Sequence, residues 1–376
     1  MQQACAQLED LTVYKVLPRY PARYEASRVL NTFDPNVIFL EMGDFESALE
    51  LAREIRATHP RTTIIGYGPR CSRERTLEAA EAGVQSVLAV PFLIEDLQQS
   101  VLSVLEAQSV GVPENLVAFV PAKGGSGAST VALNVAGSLA REWNQKVLVI
   151  DADLHSGVLS VLLNLSEPRP VADALERSSQ LNEELWLEMR SQACGLDLLA
   201  APAPQRRAGF SQLTYHQFLS FVRSRYDAVI ADLGEASDEL GEAVASRARS
   251  VYVVCTPEPP SLALARRQIS GLKAMGVPSS RIDIVLNRRL KDDPKVEDIE
   301  RMLERRVAAV LPSDFASVRR ATLDGHLVDQ TSDLGKAFSL LAGTLAGPGA
   351  TPAPPEDSRS SSTFGFLFRK RAAQQA

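Results

Sequence analysis

Short apolar runs alternate with stretches whose apolar positions recur at helical spacing, and this alternation holds over most of the 376 residues. The first third predicts a strand at Thr12–Leu17, a helix at Ala22–Thr32 and a strand at Val37–Leu40. A helix at Phe45–Thr58, a strand at Thr62–Tyr67 and a helix at Ser72–Ala82 follow, then a strand at Ser86–Ala89 and a helix at Ile94–Ala107. Further on, apolar strands are predicted at Leu116–Val120, Lys146–Ile150, Tyr226–Asp232, Ser250–Cys255 and Ile282–Leu286, with a last one around Val310. Strands alternating with helices predict parallel sheets covered by helices on both faces. The fold class is therefore α/β, with two doubly wound parallel-sheet domains. Residues 1–110 form the first, 111–115 a linker, and 116–346 the second. Residues 347–376 are rich in Pro, Ser, Ala and Thr up to Thr363 and predict a disordered tail. That tail ends in Phe364-Gly365-Phe366-Leu367-Phe368-Arg369-Lys370-Arg371.

Composition narrows the classes. A hydrophobic share of 45% and a charged share of 23% are those of an ordinary globular protein. A net charge of −6 gives no general nucleic-acid footprint. No apolar run has the length of a membrane span, and the N-terminus lacks a signal-peptide layout. Cys5, Cys71, Cys194 and Cys255 lie far apart and read as buried thiols in a reducing cytoplasm.

The chemistry concentrates in Ala122-Lys123-Gly124-Gly125-Ser126-Gly127-Ala128-Ser129-Thr130, between an apolar strand and an Ala-rich helical pattern. Glycines let successive N–H groups converge on an anion, and the helix N-terminus adds partial positive charge. A phosphate loop reads G-x-x-x-x-G-K-[ST]. Here Ala128 holds the lysine position, Ala122 replaces the first glycine, and Lys123 stands early in the loop. Ser129 keeps the hydroxyl that such loops present to Mg²⁺. Loss of one charge-assisted hydrogen bond costs about 1.5–3 kcal/mol, roughly ten- to a hundredfold in affinity. Turnover should suffer more than binding, since a lysine on developing charge acts most in the transition state.

Two strands end in acid. Lys146–Ile150 runs into Asp151-Ala152-Asp153, and Tyr226–Ala231 into Asp232. Ligands of open parallel sheets sit at the carboxyl ends of strands, and Mg²⁺ takes hard oxygen ligands while keeping several waters. Alone, each pattern is commonly a solvated turn; behind a Gly-rich loop they form a metal site.

A lysine ahead of Gly-Gly-x-Gly resembles the deviant Walker A signature of the ParA/MinD family of dimerising ATPases. The Gly127-Ala128-Ser129-Thr130 ending is similar to the branch of CpaE/TadZ pilus-assembly proteins. The resemblance covers about two thirds of the chain and implies ATP and Mg²⁺ as cofactors. It implies Asp153 and Lys123 as catalytic residues and Ser129, Asp151 and Asp232 as metal ligands. Lys123, Gly124, Gly125, Ser126, Gly127, Ala128, Ser129, Thr130, Asn287 and Pro312 would hold the nucleotide, Asn287 at the adenine edge. Lys123 would reach the phosphates of a partner subunit. Thr256-Pro257-Glu258 and Leu233-Gly234-Glu235 match or replace further turns of the family.

The order of elements before residue 110 resembles a response-regulator receiver domain lacking its first strand. Glu41 stands where a receiver carries its phosphorylated aspartate, and Val90 where its lysine precedes Pro-Phe. Without those groups and the Mg²⁺-binding acids, phosphoryl transfer lacks its charge neutralisation, so this part reads as a pseudo-receiver; an unrelated small α/β domain is the competing reading.

The function implied is an ATP-binding, dimerising spatial organiser of a Flp/Tad-type pilus or secretion assembly, with weak or absent hydrolysis. It would be cytoplasmic and recruited to the inner face of the membrane or a cell pole. Its partners would be a second copy and assembly proteins, with no strong nucleic-acid signal. The tail fits peripheral contact with an anionic membrane or docking of a partner. The alternatives are a septum- or DNA-positioning ATPase and a non-enzymatic signalling adaptor.

Overall fold

The computed structural model describes residues 1–346 except 6, 9, 10, 12, 61, 109–112, 202–208 and 235–237, and omits the side chains of 106–108. The predicted tail and its aromatic-basic end therefore lie outside the described residues, as do Gly111, Val112 and Glu235.

The N-terminal domain holds β1 (Val37–Glu41), β2 (Thr63–Gly68) and β3 (Ser86–Ala89), parallel and in sequential order. Helices α1 (Arg23–Phe33), α2 (Phe45–Thr58) and α3 (Arg73–Ala82) supply one covering face, and α4 (Ile94–Gln108) the other. The cause is ordinary strand alternation. Ile38, Leu40 and Ile64 point to α1, α2 and α3, whereas Val37, Phe39 and Ile65 point to α4. The strand expected at Thr12–Leu17 is not formed over residues 13–17. Val13, Tyr14 and Val16 are β-prone, but all three are exposed and pair with no neighbouring strand, and strand propensity acts through such packing.

The second domain is one sheet in the order β11-β10-β9-β4-β8-β5-β7-β6. These strands are β4 (Leu116–Pro121), β5 (Val147–Asp151), β6 (Ser191–Ala193), β7 (Leu196–Leu199), β8 (Ala228–Asp232), β9 (Ser250–Cys255), β10 (Ile282–Arg289) and β11 (Val307–Pro312). All pairs are parallel except β6 with β7. Helices α5 (Ala128–Glu142) and α9 (Asp333–Leu345) cover one face, and α6 (Gln212–Arg223), α7 (Glu239–Arg247) and α8 (Pro259–Ala274) cover the other. Strands β4, β5, β8 and β9 read as continuous apolar runs because both faces are buried. Chain order reverses at β4, whose neighbours β8 and β9 come from opposite halves of the sheet.

The two domains share a core. Leu213 of α6 packs with Ile65, Leu88, Leu97, Val101 and Val104 of the first domain. The connection is also held: Asn115 donates its amide to the carbonyls of Arg223 (2.9 Å) and Tyr226 (2.6 Å). The Arg223 guanidinium in turn donates to the Pro113 carbonyl. Cys5 and Cys255 are buried as expected, but Cys71, in the loop before α3, and Cys194, in a turn, are half-buried.

A polar chain runs through the second core. Buried Trp186 donates its indole N–H to the Tyr226 hydroxyl (2.8 Å), which donates to Asp197 (2.7 Å). Asp197 also pairs with Arg190. Tyr226→Phe strands both the indole N–H and a carboxylate lone pair. An unsatisfied buried polar group costs about 1–3 kcal/mol, so urea unfolding should show that loss of stability without a change in secondary structure.

Candidate functional site

The site lies where β4 ends at the reversal of strand order, the place where open parallel sheets bind ligands. Residues 122–127 form the loop and α5 begins at Ala128. The loop curls because Gly125 (φ +79°) and Gly127 (φ +93°) adopt left-handed backbone that other residues avoid. Gly124 and Gly125 are exposed, and a Cβ on either would meet nothing within 4 Å, so their backbone borders open space. The loop is anchored beneath by Ala122 N–H on the Val254 carbonyl (2.9 Å) and Ser126 N–H on the Lys123 carbonyl (3.1 Å). Lys123 is half-buried, while Ala128 is packed into the apolar core at the first turn of α5. Ser129 and Thr130 follow on the same turn, and the Thr130 carbonyl accepts from Asn134 (2.8 Å).

Asp151 and Asp232 end adjacent strands and are directly opposite in register. Both are buried, and each has one carboxylate oxygen, Oδ1, without a hydrogen-bond partner. The other oxygen of Asp151 accepts Leu159 N–H (3.0 Å). The nearby Ser129 hydroxyl favours the charged form of Asp232. Burial pushes the Asp151 carboxyl up to about 7, with nearby Asp153 adding to the rise. Burial and then the Asp151 charge push Asp232 well above the usual carboxylate range. Two buried acids that resist ionisation, each with a lone pair unmet, are a site for a divalent cation. The Ser126 hydroxyl, also buried and unpartnered, lies in the adjoining loop. The residues fit Mg²⁺ and a phosphate chain.

Asp153 stands two residues further on and is half-buried. Its carboxylate accepts from His155 N–H (3.1 Å), Ser156 N–H (2.9 Å) and the Ser156 hydroxyl (2.7 Å). This turn sets the carboxylate against Gly234, where a Cβ would come within 2.4 Å of its Cγ. Asn287, on β10, lies beneath the loop. Its Nδ2 donates to the Ser126 carbonyl (2.8 Å) and its Oδ1 accepts Arg288 N–H (2.9 Å), so both amide ends are engaged within the protein. Pro312 closes β11, one strand away from β9 across β10. Thr256 donates its hydroxyl to Glu258 and its N–H to Ser261 (2.9 Å), ordering the turn after β9.

Every residue predicted for the site thus sits at the carboxyl edge of the sheet, on its loops or on the first turn of α5. Two positions escaped the sequence. A Cβ at Gly157 would come within 2.3 Å of Asp151 Oδ1, so this glycine leaves room for the acid. Leu159 contributes only a backbone N–H, which no side-chain pattern reveals.

A Gly-rich loop on a helix N-terminus, beside two facing strand-end carboxylates, defines a P-loop ATPase domain. Residues 114–267 match the family model described as an AAA domain. The septum site-determining protein MinD of Thermotoga maritima is 26% identical over 244 residues, 62% of this chain and 89% of that protein. The antiactivator FleN of Pseudomonas aeruginosa is 28% identical over 158 residues, 40% of this chain and 53% of that protein. Among solved structures, a ParA family ATPase from Chlorobium tepidum has a TM-score of 0.57 at 28% identity, covering 61% of this chain and 99% of its own. MinD in the MinC:MinD complex of Aquifex aeolicus shares the fold with a TM-score of 0.53 at 23% identity, covering 62% and 96%. The second domain is thus similar in sequence and fold to the ParA/MinD type of P-loop ATPases.

Proposed function

We propose that this chain is an ATP-binding switch that dimerises and organises a cellular assembly, with slow or no turnover. The observation that carries this reading is the altered loop. Lys123 precedes Gly124-Gly125 while buried Ala128 fills the place of the usual lysine. The backbone cradle, the helix N-terminus and the Asp151–Asp232 pair are retained, so binding is kept. In the dimer Lys123 reaches the phosphates held by the partner, and Asp153 orients the attacking water. Bound Mg²⁺ would be held by Ser129, Asp151 and Asp232 and would neutralise phosphate charge. The loop ending at Thr130 and the preceding α/β domain support the pilus or secretion branch. In this reading the first domain is a pseudo-receiver, in which Glu41 is occupied by Gly43 N–H (2.8 Å) and Tyr20.

The test is the oligomeric state with and without Mg²⁺-ATP, read by sedimentation. The native chain should become dimeric. Lys123→Ala should bind nucleotide with little change yet weaken the dimer by about ten- to a hundredfold, the value of one charge-assisted bond. A native chain that stays monomeric at saturating Mg²⁺-ATP sinks the reading. The similarity to MinD along 89% of that protein favours one second reading, a septum-positioning ATPase. Depletion in cells separates them: misplaced septa support the second, and loss of pili or secretion with normal division supports the first.

A further inference from the structure

Strand β1 leaves one edge of the N-terminal sheet unpaired. In a parallel pair, the N–H and C=O of a residue face the same neighbour, and those of the next residue face away. The Asn36 carbonyl accepts from Thr63 N–H (2.9 Å) and Met42 N–H donates to the Tyr67 carbonyl (2.8 Å). Ile38 and Leu40 therefore face β2, whereas Val37, Phe39 and Glu41 turn their backbone groups outward. Among the described residues only the Glu41 carbonyl finds a partner there, the Tyr20 hydroxyl at 2.5 Å.

Along this edge runs a groove of about 940 Å³ between the two domains. Val37, Phe39 and Leu105 line one side and Leu213, His216 and Phe221 of α6 another, while residues 13–21 border it as well. An open edge above an apolar groove accepts an added strand, with main-chain bonds giving affinity and alternate side chains filling the groove.

The chain itself carries a segment of matching pattern. Phe364-Gly365-Phe366-Leu367-Phe368 places aromatics at every second position, one face of a strand, and Arg369-Lys370-Arg371 follow. Run parallel to β1, this segment would bring the three cations out at the strand's carboxyl end. There Glu41, Asp44, Glu46 and Glu50 are all exposed. Reach is not limiting. Helix α9 ends at Leu345, whose carbonyl accepts from the Arg249 guanidinium, and Arg249 N–H holds the first residue of β4, Leu116 (2.9 Å). The same end of the sheet carries Asn115, which holds Arg223 at the end of α6, two residues past the groove residue Phe221. Residues 347–363, fully extended, span at most roughly 55–60 Å.

We propose that residues 364–368 add to β1 of the same molecule as a fourth, parallel strand, with the three phenylalanines in the groove and the basic triplet beside Glu41 and Asp44. The tail then clamps the first domain onto α6. The test compares the full chain with its Phe364→Ser/Phe366→Ser/Phe368→Ser variant, whose changes lie outside both cores. Hydrogen exchange is read at single amides by fragmentation mass spectrometry. The Val37, Phe39 and Glu41 amides should exchange about tenfold or more faster in the variant, while Ile38 and Leu40 should not change. Equal exchange at Val37 and Phe39 in both chains overturns the proposal. So does protection that disappears on dilution, which would put the tail on a second copy. Tail-dependent binding to phosphatidylglycerol-containing vesicles, with β1 exchange unaltered, overturns it in favour of a lipid surface.

Discussion

Gly127→Val should abolish measurable Mg²⁺-ATP binding in calorimetry while leaving the fold intact. Gly127 has φ +93°, and a Cβ there would come within 2.4 Å of Asn287 Nδ2. A β-branched residue in left-handed backbone costs about 1–3 kcal/mol. The collision also displaces the amide that holds the Ser126 carbonyl, worth roughly 1 kcal/mol more. The loop can escape both penalties only by flattening, which scatters the N–H groups it converges on an anion. The expected loss in affinity is at least about thirtyfold. Binding within a few-fold of the native chain would show that the nucleotide does not use this loop.

Asp151→Asn should stabilise the nucleotide-free protein at alkaline pH and flatten its pH dependence. The Asp151 carboxyl is raised from 3.8 to about 7 by burial. Between those values the native state keeps a proton that the unfolded chain has released. Stability therefore falls as pH rises through the window, and the full loss is present above the folded value. A rise of that size corresponds to roughly 4 kcal/mol. Asp232 shifts in the same direction and adds to the trend. Asparagine retains an acceptor for Leu159 N–H and carries no charge to bury. Urea unfolding at pH 5 and pH 8 should show a clear loss in the native protein and a smaller one in the variant. Mg²⁺-nucleotide should remove the difference in the native protein alone, since the cation holds the charge that water cannot reach. An identical pH slope in both proteins would place the burial penalty elsewhere.

Much of this arrangement is legible in the sequence because it rests on long apolar runs. Strands β4, β5, β8 and β9 are buried on both faces, which writes them as largely apolar runs rich in Val, Ile, Leu and Ala. The strand-end acids are equally plain, since nothing else in β5 or β8 is polar. Short elements were harder. The hairpin of β6 and β7 turns on Cys194 (φ +52°) and Gly195 (φ +79°), a two-residue turn of left-handed residues whose glycine is its one clear mark. The false strand at Thr12–Leu17 shows the converse, since apolar alternation without a neighbouring strand forms none. At the site, the least legible features are those carried by backbone or by missing atoms. Gly157 matters for the Cβ it lacks, and Leu159 for an N–H that every residue but proline has. Asn287 is readable as a strand amide, but its grip on the Ser126 carbonyl depends on a strand and a loop far apart in sequence being brought together.

The two tryptophans, Trp143 and Trp186, both belong to the second domain. Trp186 is sealed in the polar chain with Tyr226, and the Trp143 ring lies against Gly343 of α9, where a Cβ would come within 2.9 Å of it. Indole emission from this chain consequently originates in the nucleotide-type core alone. Peptide-bond circular dichroism sees both domains. Recorded together during denaturation, the two signals turn an accident of aromatic placement into a measure of whether the domains melt as one body.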